Sequence, residues 1–349
     1  MKKENSEKME NTLPKISIIF PSYNGEKFLN RNLDSIIPLS KFNEIELVII
    51  DNKSNDRSKE IIKSYRKGLN INLIELNKNK GFAKACNLGA SYAKGEFLFI
   101  TNQDMIFTPN FFKDLLDIYE KLKKNQEIVI SPAIVFEGDG IHYYGAKIHF
   151  LGFSYTPNIG KKLPLERVVK KTQRFSGGSL FIKNTLFLKL GGFDEIYFMY
   201  YEDTDLSLRI LREGIRMYTT SIPYLIHQKH EFNFNDFRYY LLERNRYILI
   251  YKNFKNYKKL YPLLIVLEVV LLFQSIIIKK FKLKIRIYYD LLSKLKIIKE
   301  LRKKSINKRL LFPYQNLDRT LDPILIGEMK HSKIFNRFLR ILNYLFKKI

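Results

Sequence analysis

The residues best equipped for chemistry fall in three acidic stretches, each following an apolar run. Asp51 closes IELVII, Asp104 closes FLFITNQD, and Glu202, Asp203 and Asp205 stand together in FMYYEDTDLSLRI. Carboxylates can hold a hard divalent cation, accept hydrogen bonds from a nucleoside, or take a proton from a hydroxyl. Transfer from a nucleotide diphosphate needs all three: a grip on the nucleoside, a metal to neutralise the leaving diphosphate, and a base for the acceptor.

Asp51 sits where its carboxylate could accept from a nucleobase or ribose; an Asx-turn or helix cap in DNKSND is the structural alternative. The first turn, Pro21 to Asn24, would lie beside it. Asp104 is an oxygen ligand just past a buried strand, placed to bridge a metal to phosphate, or else a turn-forming aspartate. Sites of this kind commonly show D-x-D, and Asn102 takes the first place here, so one carboxylate carries most of the charge. His227 ends the strand-like SIPYLIH and offers a neutral imidazole to the metal, with Gln228 and His230 following, although a lone histidine is more often structural. Asp203 is the candidate general base, its aromatic neighbours forming a partly desolvated pocket, with Glu202 or Asp205 holding the acceptor or shaping the turn. Acids in a first helical turn also favour the helix dipole without any catalytic role.

The elements that must position these residues are legible from periodicity. ISIIF at Ile16, IELVII at Ile45, INLIEL at Ile71 and EFLFI at Glu96 alternate with longer amphipathic segments. Such a βαβα rhythm predicts a mostly parallel sheet covered on both faces, with ligands bound beyond the carboxyl ends of its strands. PSYNGE, DNKSNDRS and TNQDM all fall at such ends. From Gly138 to Arg174 the pattern loosens into an excursion expected to carry acceptor-side loops. From about Leu241 the chain reads as helical and basic. Tyr261 to Ile278 is apolar but interrupted by Glu268 and Gln274, and is short for a hydrocarbon core of about 30 Å; a span, an in-plane helix and a buried helix all fit. Apolar residues from Ile334 to Phe346 recur at helical spacing with basic residues elsewhere, which suits either an anionic membrane interface or packing on the core. The expected division is a disordered tail over 1–14, an α/β domain over 15–255, and a helical, basic, membrane-associating region over 256–349.

Hydrophobic residues make up 46% and aromatics 14% of the 349 residues, enough for a packed core and against global disorder. The single Cys86 cannot form an internal disulfide and reads as a buried structural thiol. The opening MKKENSEKMENTLPK is followed by no apolar run of signal-peptide length, so the amino-terminal domain is expected to stay in the cytoplasm. Of the net charge of +26, more than half lies after residue 278, where twenty Lys or Arg face five Asp or Glu. That surface would attract anionic lipid or nucleic acid, but no zinc-ligand spacing or nucleic-acid motif supports the second. PSYNG is not the glycine fingerprint of a dinucleotide-binding dehydrogenase, and no Walker A lysine loop is present.

Seven blocks occur in a family's order over roughly residues 15 to 250: PSYNG, DNKSNDRS, NKGFAKACNLG, TNQDM, GGSLFIKN, GGFDEIYFMYYEDTDLSLR and ERNRY. On these blocks the chain resembles the family 2 glycosyltransferases of GT-A fold, especially a branch similar to rhamnosyltransferases. The resemblance implies a Rossmann-like sheet flanked by helices and an inverting displacement at the anomeric carbon. It implies Asp203 as base beside Glu202, and Asp104 as ligand of Mn2+ or Mg2+ completed by His227. It also implies that Pro21, Ser22, Tyr23, Asn24, Asp51, Asn52, Gly81, Asn87, Asn102 and Gln103 surround the nucleotide sugar. Gly81 reads equally as a turn before a helix, and the departure at Asn102 is shared by relatives with an N-x-D form. The implied partners are a nucleotide diphosphate sugar, with rhamnose suggested by the branch, and a glycan or polyprenyl-linked acceptor of cell-surface polysaccharide synthesis. The expected location is the cytoplasmic face of an anionic membrane. A nucleotide-sugar-binding protein without catalysis is the rival reading, which turnover separates.

Overall fold

The computed structural model describes residues 15–40, 45–138, 140–229, 235–307 and 312–313. The tail at 1–14, His230 and the amphipathic stretch at 334–346 lie outside the described residues.

The four apolar runs form strands β1 (Ile16–Ser22), β2 (Ile45–Asp51), β3 (Ile71–Glu75) and β4 (Phe97–Thr101). They lie parallel in the order β3-β2-β1-β4. β2 and β4 are buried at every residue, which explains their mostly apolar sequence: helices cover both faces, and the one acid inside β2, Glu46, accepts from Ser17 Oγ and Lys94 N–H. The crossovers are α1 (Glu26–Ser40), α2 (Ser58–Ser64) and α3 (Gly81–Tyr92). α1 buries Leu29, Leu33 and Ile36 at helical spacing. α3 presents small residues to the sheet, and a Cβ at its Gly89 would stand only 2.4 Å from Ile19 Cγ2, so glycine lets the helix lie close. Cys86 on α3 is fully buried, and burial pushes its thiol pKa well up, as an inert structural thiol requires.

Beyond β4 come β5 (Met105–Phe107), α4 (Phe111–Lys123), β6 (Ile128–Phe136), β7 (Ile141–Tyr143), β8 (Val169–Lys171), β9 (Ser179–Lys183), α5 (Asn184–Lys189), α6 (Glu202–Arg212) and β10 (Arg216–His227). These ten strands join one sheet in the order β8-β10-β6-β9-β4-β1-β2-β3, with β5 on β10 and β7 on β6. β1 to β4, β6 and β10 share one direction, and β5, β7, β8 and β9 oppose it. The sheet is therefore mixed, with its majority parallel. β9 arrives from the excursion instead of through a crossover helix, and it runs antiparallel between β4 and β6. Its first residue, Ser179, consequently pairs with Thr101, the last of β4.

Four helices complete the described chain: α7 (Asp236–Asn253), α8 (Tyr261–Ile277), α9 (Phe281–Ser293) and α10 (Leu295–Asn307). Leu267 and Leu271 of α8 and Ile298 of α10 share one apolar cluster with Ile248 of α7, Leu208 of α6 and Leu151 of the excursion. The late helices thus pack on the same core as the acidic segment. Residues Tyr257–Ile277, a helical run of 21, are long and apolar enough to cross a membrane.

Candidate functional site

Strand ends bring the candidate residues to one rim. Ser22 and Asp51, the last residues of β1 and β2, are register partners, and Asn52 N–H donates to Ser22 O at 2.7 Å. Asp51 is buried and both its carboxylate oxygens accept from Ser54 N–H, at 3.1 and 3.3 Å, so the Asx-turn is present. Asn24 N–H donates to Ser54 Oγ at 3.0 Å, while Asn24 Oδ1 accepts from Asn55 N–H at 2.9 Å, which locks the first two turns together. Asn52 reaches the other way: its Nδ2 donates to Gly81 O at 3.2 Å and its Oδ1 accepts from Lys80 N–H at 3.0 Å, pinning the start of α3 to β2. Tyr23 is exposed at the mouth.

Gln103 bonds the first turn to the third in both directions. Its Oε1 accepts from Tyr23 N–H at 3.0 Å and its Nε2 donates to Tyr23 O at 3.1 Å. The next residue, Asp104, meets the end of β10: Asp104 Oδ2 lies 3.1 Å from His227 Nε2. His142 stacks on His227 with ring centroids 4.7 Å apart and planes 15° from parallel, which fixes the imidazole. Among the described residues no group of three or more His, Cys, Asp or Glu gathers as a complete metal cage. The donor chemistry nevertheless suits a divalent cation: a carboxylate oxygen and an imidazole nitrogen 3.1 Å apart are both ligand types such an ion takes, so Asp104 and His227 would hold it.

The acidic segment joins the same rim through the glycines before β9. Thr101 Oγ1 donates to Gly178 O at 2.9 Å, and Gly178 lies against the Asn102 amide. Gly177 N–H donates to Asp203 Oδ2 at 3.3 Å. Asp203 Oδ2 also takes an ion pair from Arg174, and its Oδ1 accepts from Thr204 N–H at 2.6 Å. The desolvated carboxyl expected in this segment is Glu202 and not Asp203. Glu202 is buried against Gly177, its Oε2 has no hydrogen-bond partner among the described residues, and burial followed by the Asp203 charge pushes its pKa up to about 8.

Asp205 points away from the rim and shapes the turn. It is fully buried, bonded to Lys252 Nζ at 2.6 Å, Asn253 Nδ2 at 2.8 Å, Arg209 Nε at 3.0 Å and Tyr197 Oη at 3.1 Å. Lys252 and Arg209 hold its pKa below the usual carboxylate range against the opposing effect of burial. Asn87 also stands apart from the rim group: it is bonded both ways to the Phe193 backbone at 2.8 Å. It lines a cavity of about 700 Å³ beside α3 with Lys80, Lys84 and Glu195.

The segment before α6 is strained, with positive φ at Phe198, Tyr200 and Tyr201. Asn245 Nδ2 holds it by donating to the carbonyls of Tyr197, Met199 and Tyr200 at 3.0, 2.9 and 2.7 Å. Phe198 in turn packs on Gly81, where φ is +81° and a Cβ would lie 2.5 Å from Phe198 O. Sequence reasoning assigned no role to Arg174, His142 or Asn245. Only Asn245 carried a signal, as the centre of ERNRY, and its buried neighbours explain that block: Arg244 donates to Ile196 O and Tyr197 O, and Arg246 lies 3.8 Å from Glu243.

Comparison with known proteins agrees with this architecture. The model of "Glycosyl transferase family 2" matches residues 17–189. The chain is 28% identical over 201 residues to an uncharacterized glycosyltransferase of Rickettsia typhi, covering 57% of this chain and 59% of that protein. It is 28% identical over 211 residues to the putative glycosyltransferase EpsE of Bacillus subtilis, covering 60% and 70%. It is 31% identical over 124 residues to the minor teichoic acid biosynthesis protein GgaB of Bacillus subtilis, covering 35% and 14%. The matched stretch is thus under two thirds of the length of two of these three relatives. Among solved structures, GalNAc-T7 with UDP, GalNAc and Mn2+ superposes with a TM-score of 0.57 at 19% identity over 71% of this chain and 50% of that one, a likeness of fold. With the ordered blocks on the strand ends of a GT-A sheet and the family match over residues 17–189, the chain belongs to glycosyl transferase family 2.

Proposed function

We propose that this chain transfers a sugar from a nucleotide diphosphate to a hydroxyl acceptor with inversion at the anomeric carbon. The observation that carries the reading is the rim itself: Asp203, held at Gly177, and the Asp104–His227 pair both flank the end of β4. In this reading Asp203 takes the proton of the acceptor hydroxyl as its oxygen bonds to the anomeric carbon, and the bond to the leaving diphosphate breaks on the opposite side. Ser22, Tyr23, Asn24, Asp51 and Asn52 form the floor for the nucleoside. Asn102 and Gln103 line the passage to Asp104, and Gly81, its N–H bonded to Asn79 Oδ1 at 2.9 Å, shapes the turn into α3 beside the diphosphate. Asp104 and His227 would hold Mn2+ or Mg2+, which when bound neutralises charge on the diphosphate.

Glu202, whose pKa is raised by its burial against Gly177 and by the Asp203 charge, supports a role in shaping the turn that carries the base. The relatives named for teichoic acid and glycosyl transfer support an acceptor in cell-surface polysaccharide synthesis, and the basic, apolar late helices support work at the cytoplasmic face of a membrane. Rhamnose as the sugar rests on the sequence blocks alone. A thermal-shift screen of nucleotide sugars with and without Mn2+ or Mg2+, followed by turnover with the stabilising donor, tests the proposal. Stabilisation by a donor without transfer to any hydroxyl acceptor would leave a binding protein in its place.

A further inference from the structure

We propose that α8 docks side-on in the surface of an anionic bilayer and does not cross it. This deepens the membrane location proposed above. The apolar residues of α8 divide into two opposite arcs. Leu267 and Leu271 face the protein core, while Ile265, Val269, Phe273 and Ile277, spaced four apart, are 63%, 50%, 64% and 75% exposed. At 100° per residue those four fall within one face, so the outward arc is as apolar as the inward one. A water-exposed helix has no physical reason to carry such a face, and a lipid surface gives one.

Charge around the helix identifies the lipid. Exposed Lys279 stands two residues past the end of α8, and exposed Lys282 and Arg286 stand on α9 beside exposed Phe281 and Tyr289. Basic groups bordering apolar and aromatic ones match a surface of anionic headgroups over acyl chains.

The inward arc determines the orientation. Glu268, midway along α8, accepts from Tyr247 of α7 and Tyr288 of α9, and lies 2.8 Å from Lys284 and 3.6 Å from Arg246. A crossing helix would carry this whole ionic cluster into the hydrocarbon, where each ionised group is costly. It would also drag in α7, whose Asn245 holds the segment before the candidate base. Lying in the interface, α8 gives its outer arc to lipid and leaves the cluster on the protein side. The candidate site is thereby held at a fixed height above the membrane through α7, which suits an acceptor anchored in lipid.

Depth measurement separates the orientations. Cys86 is fully buried, so a thiol-reactive dye reports on a cysteine introduced in the full chain by Ile265→Cys, Val269→Cys, Phe273→Cys or Ile277→Cys, one at a time. These positions span about 18 Å along the helix. With vesicles of phosphatidylcholine and phosphatidylglycerol, all four dyes shift to the blue and are quenched to the same shallow depth; pure phosphatidylcholine or high salt weakens the effect. A monotonic gradient of depth from residue 265 to 277 means a span and overturns the proposal. Absence of any shift with bound or unbound vesicles means that another surface, of this chain or of a second copy, covers the face, and overturns it equally. Donor-induced thermal stabilisation, measured on the same proteins without vesicles, reports on the transferase reading independently, so the failure of either is distinguishable from the failure of the other.

Discussion

Arg174 grips the carboxylate of Asp203 across 29 residues of sequence, with both side chains only 14% exposed. An ion pair so shielded is strongly coupled, and removing one partner leaves the other charge poorly compensated. Arg174→Gln is expected to cost about 3 kcal/mol of stability in urea unfolding. Transfer by the folded variant should also fall by about 10- to 100-fold, because the Asp203 carboxylate is no longer held in place at the rim. Arg174→Lys should recover part of both. Parent-like turnover in the folded Gln variant would show that the pair is structural alone.

Asp203→Asn keeps the hydrogen bonds to Gly177 and Thr204 within reach but removes the base. Donor binding by calorimetry should stay near the parent value while transfer falls by about 10² to 10⁴. Near-parent turnover would exclude Asp203 as the base.

Asp104→Ala and His227→Ala each remove half of one donor pair. A donor at about 100 times its Kd stabilises a folded protein by about 2.7 kcal/mol. The part of that stabilisation which depends on Mn2+ should disappear in both variants. Unchanged metal dependence of the melting temperature would refute the assignment.

Glu202 titrates at about 8 in the folded chain against an ordinary 4.5. Between those values the folded state holds a proton that the unfolded state releases, so stability attributable to this group falls as pH rises from about 4.5 to 8. Glu202→Gln removes the titration. Urea midpoints at pH 5 and pH 8 should lie closer together in the variant than in the parent, with the gain at pH 8.

Asn245→Ala leaves the carbonyls of Tyr197, Met199 and Tyr200 without their shared donor. The cost should be at least about 2 kcal/mol, and transfer should fall further than stability explains, because the strained residues it restrains lead directly into α6. A variant with parent-like melting and turnover would show that the segment holds its shape unaided.

The strands and crossover helices of the first half were readable because burial on both faces demands mostly apolar runs, and in IELVII and FLFIT the one charged group, Glu46, is bonded inside the protein and not offered to water. The turns after them were readable as ligand-side for the same topological reason. Arg174 was not, because a basic residue in a basic excursion is indistinguishable from a solvated one until β9 folds back beside β4. Asp203 and Asp205 differ by two residues in one acidic run, yet one faces the rim and the other is sealed among Lys252, Asn253 and Tyr197; a helix turns 100° per residue, and the identity of what lies on each side comes from α7.

By itself the amino-acid sequence determined the local periods, the order of the blocks and hence the family, since these depend on residue type at short range. Which acid meets which cation, which carboxyl loses its water, and which arc of α8 is left uncovered were decided only in the tertiary structure. Those properties arise where segments distant in the chain exclude solvent from one another, and no short-range pattern records the partner.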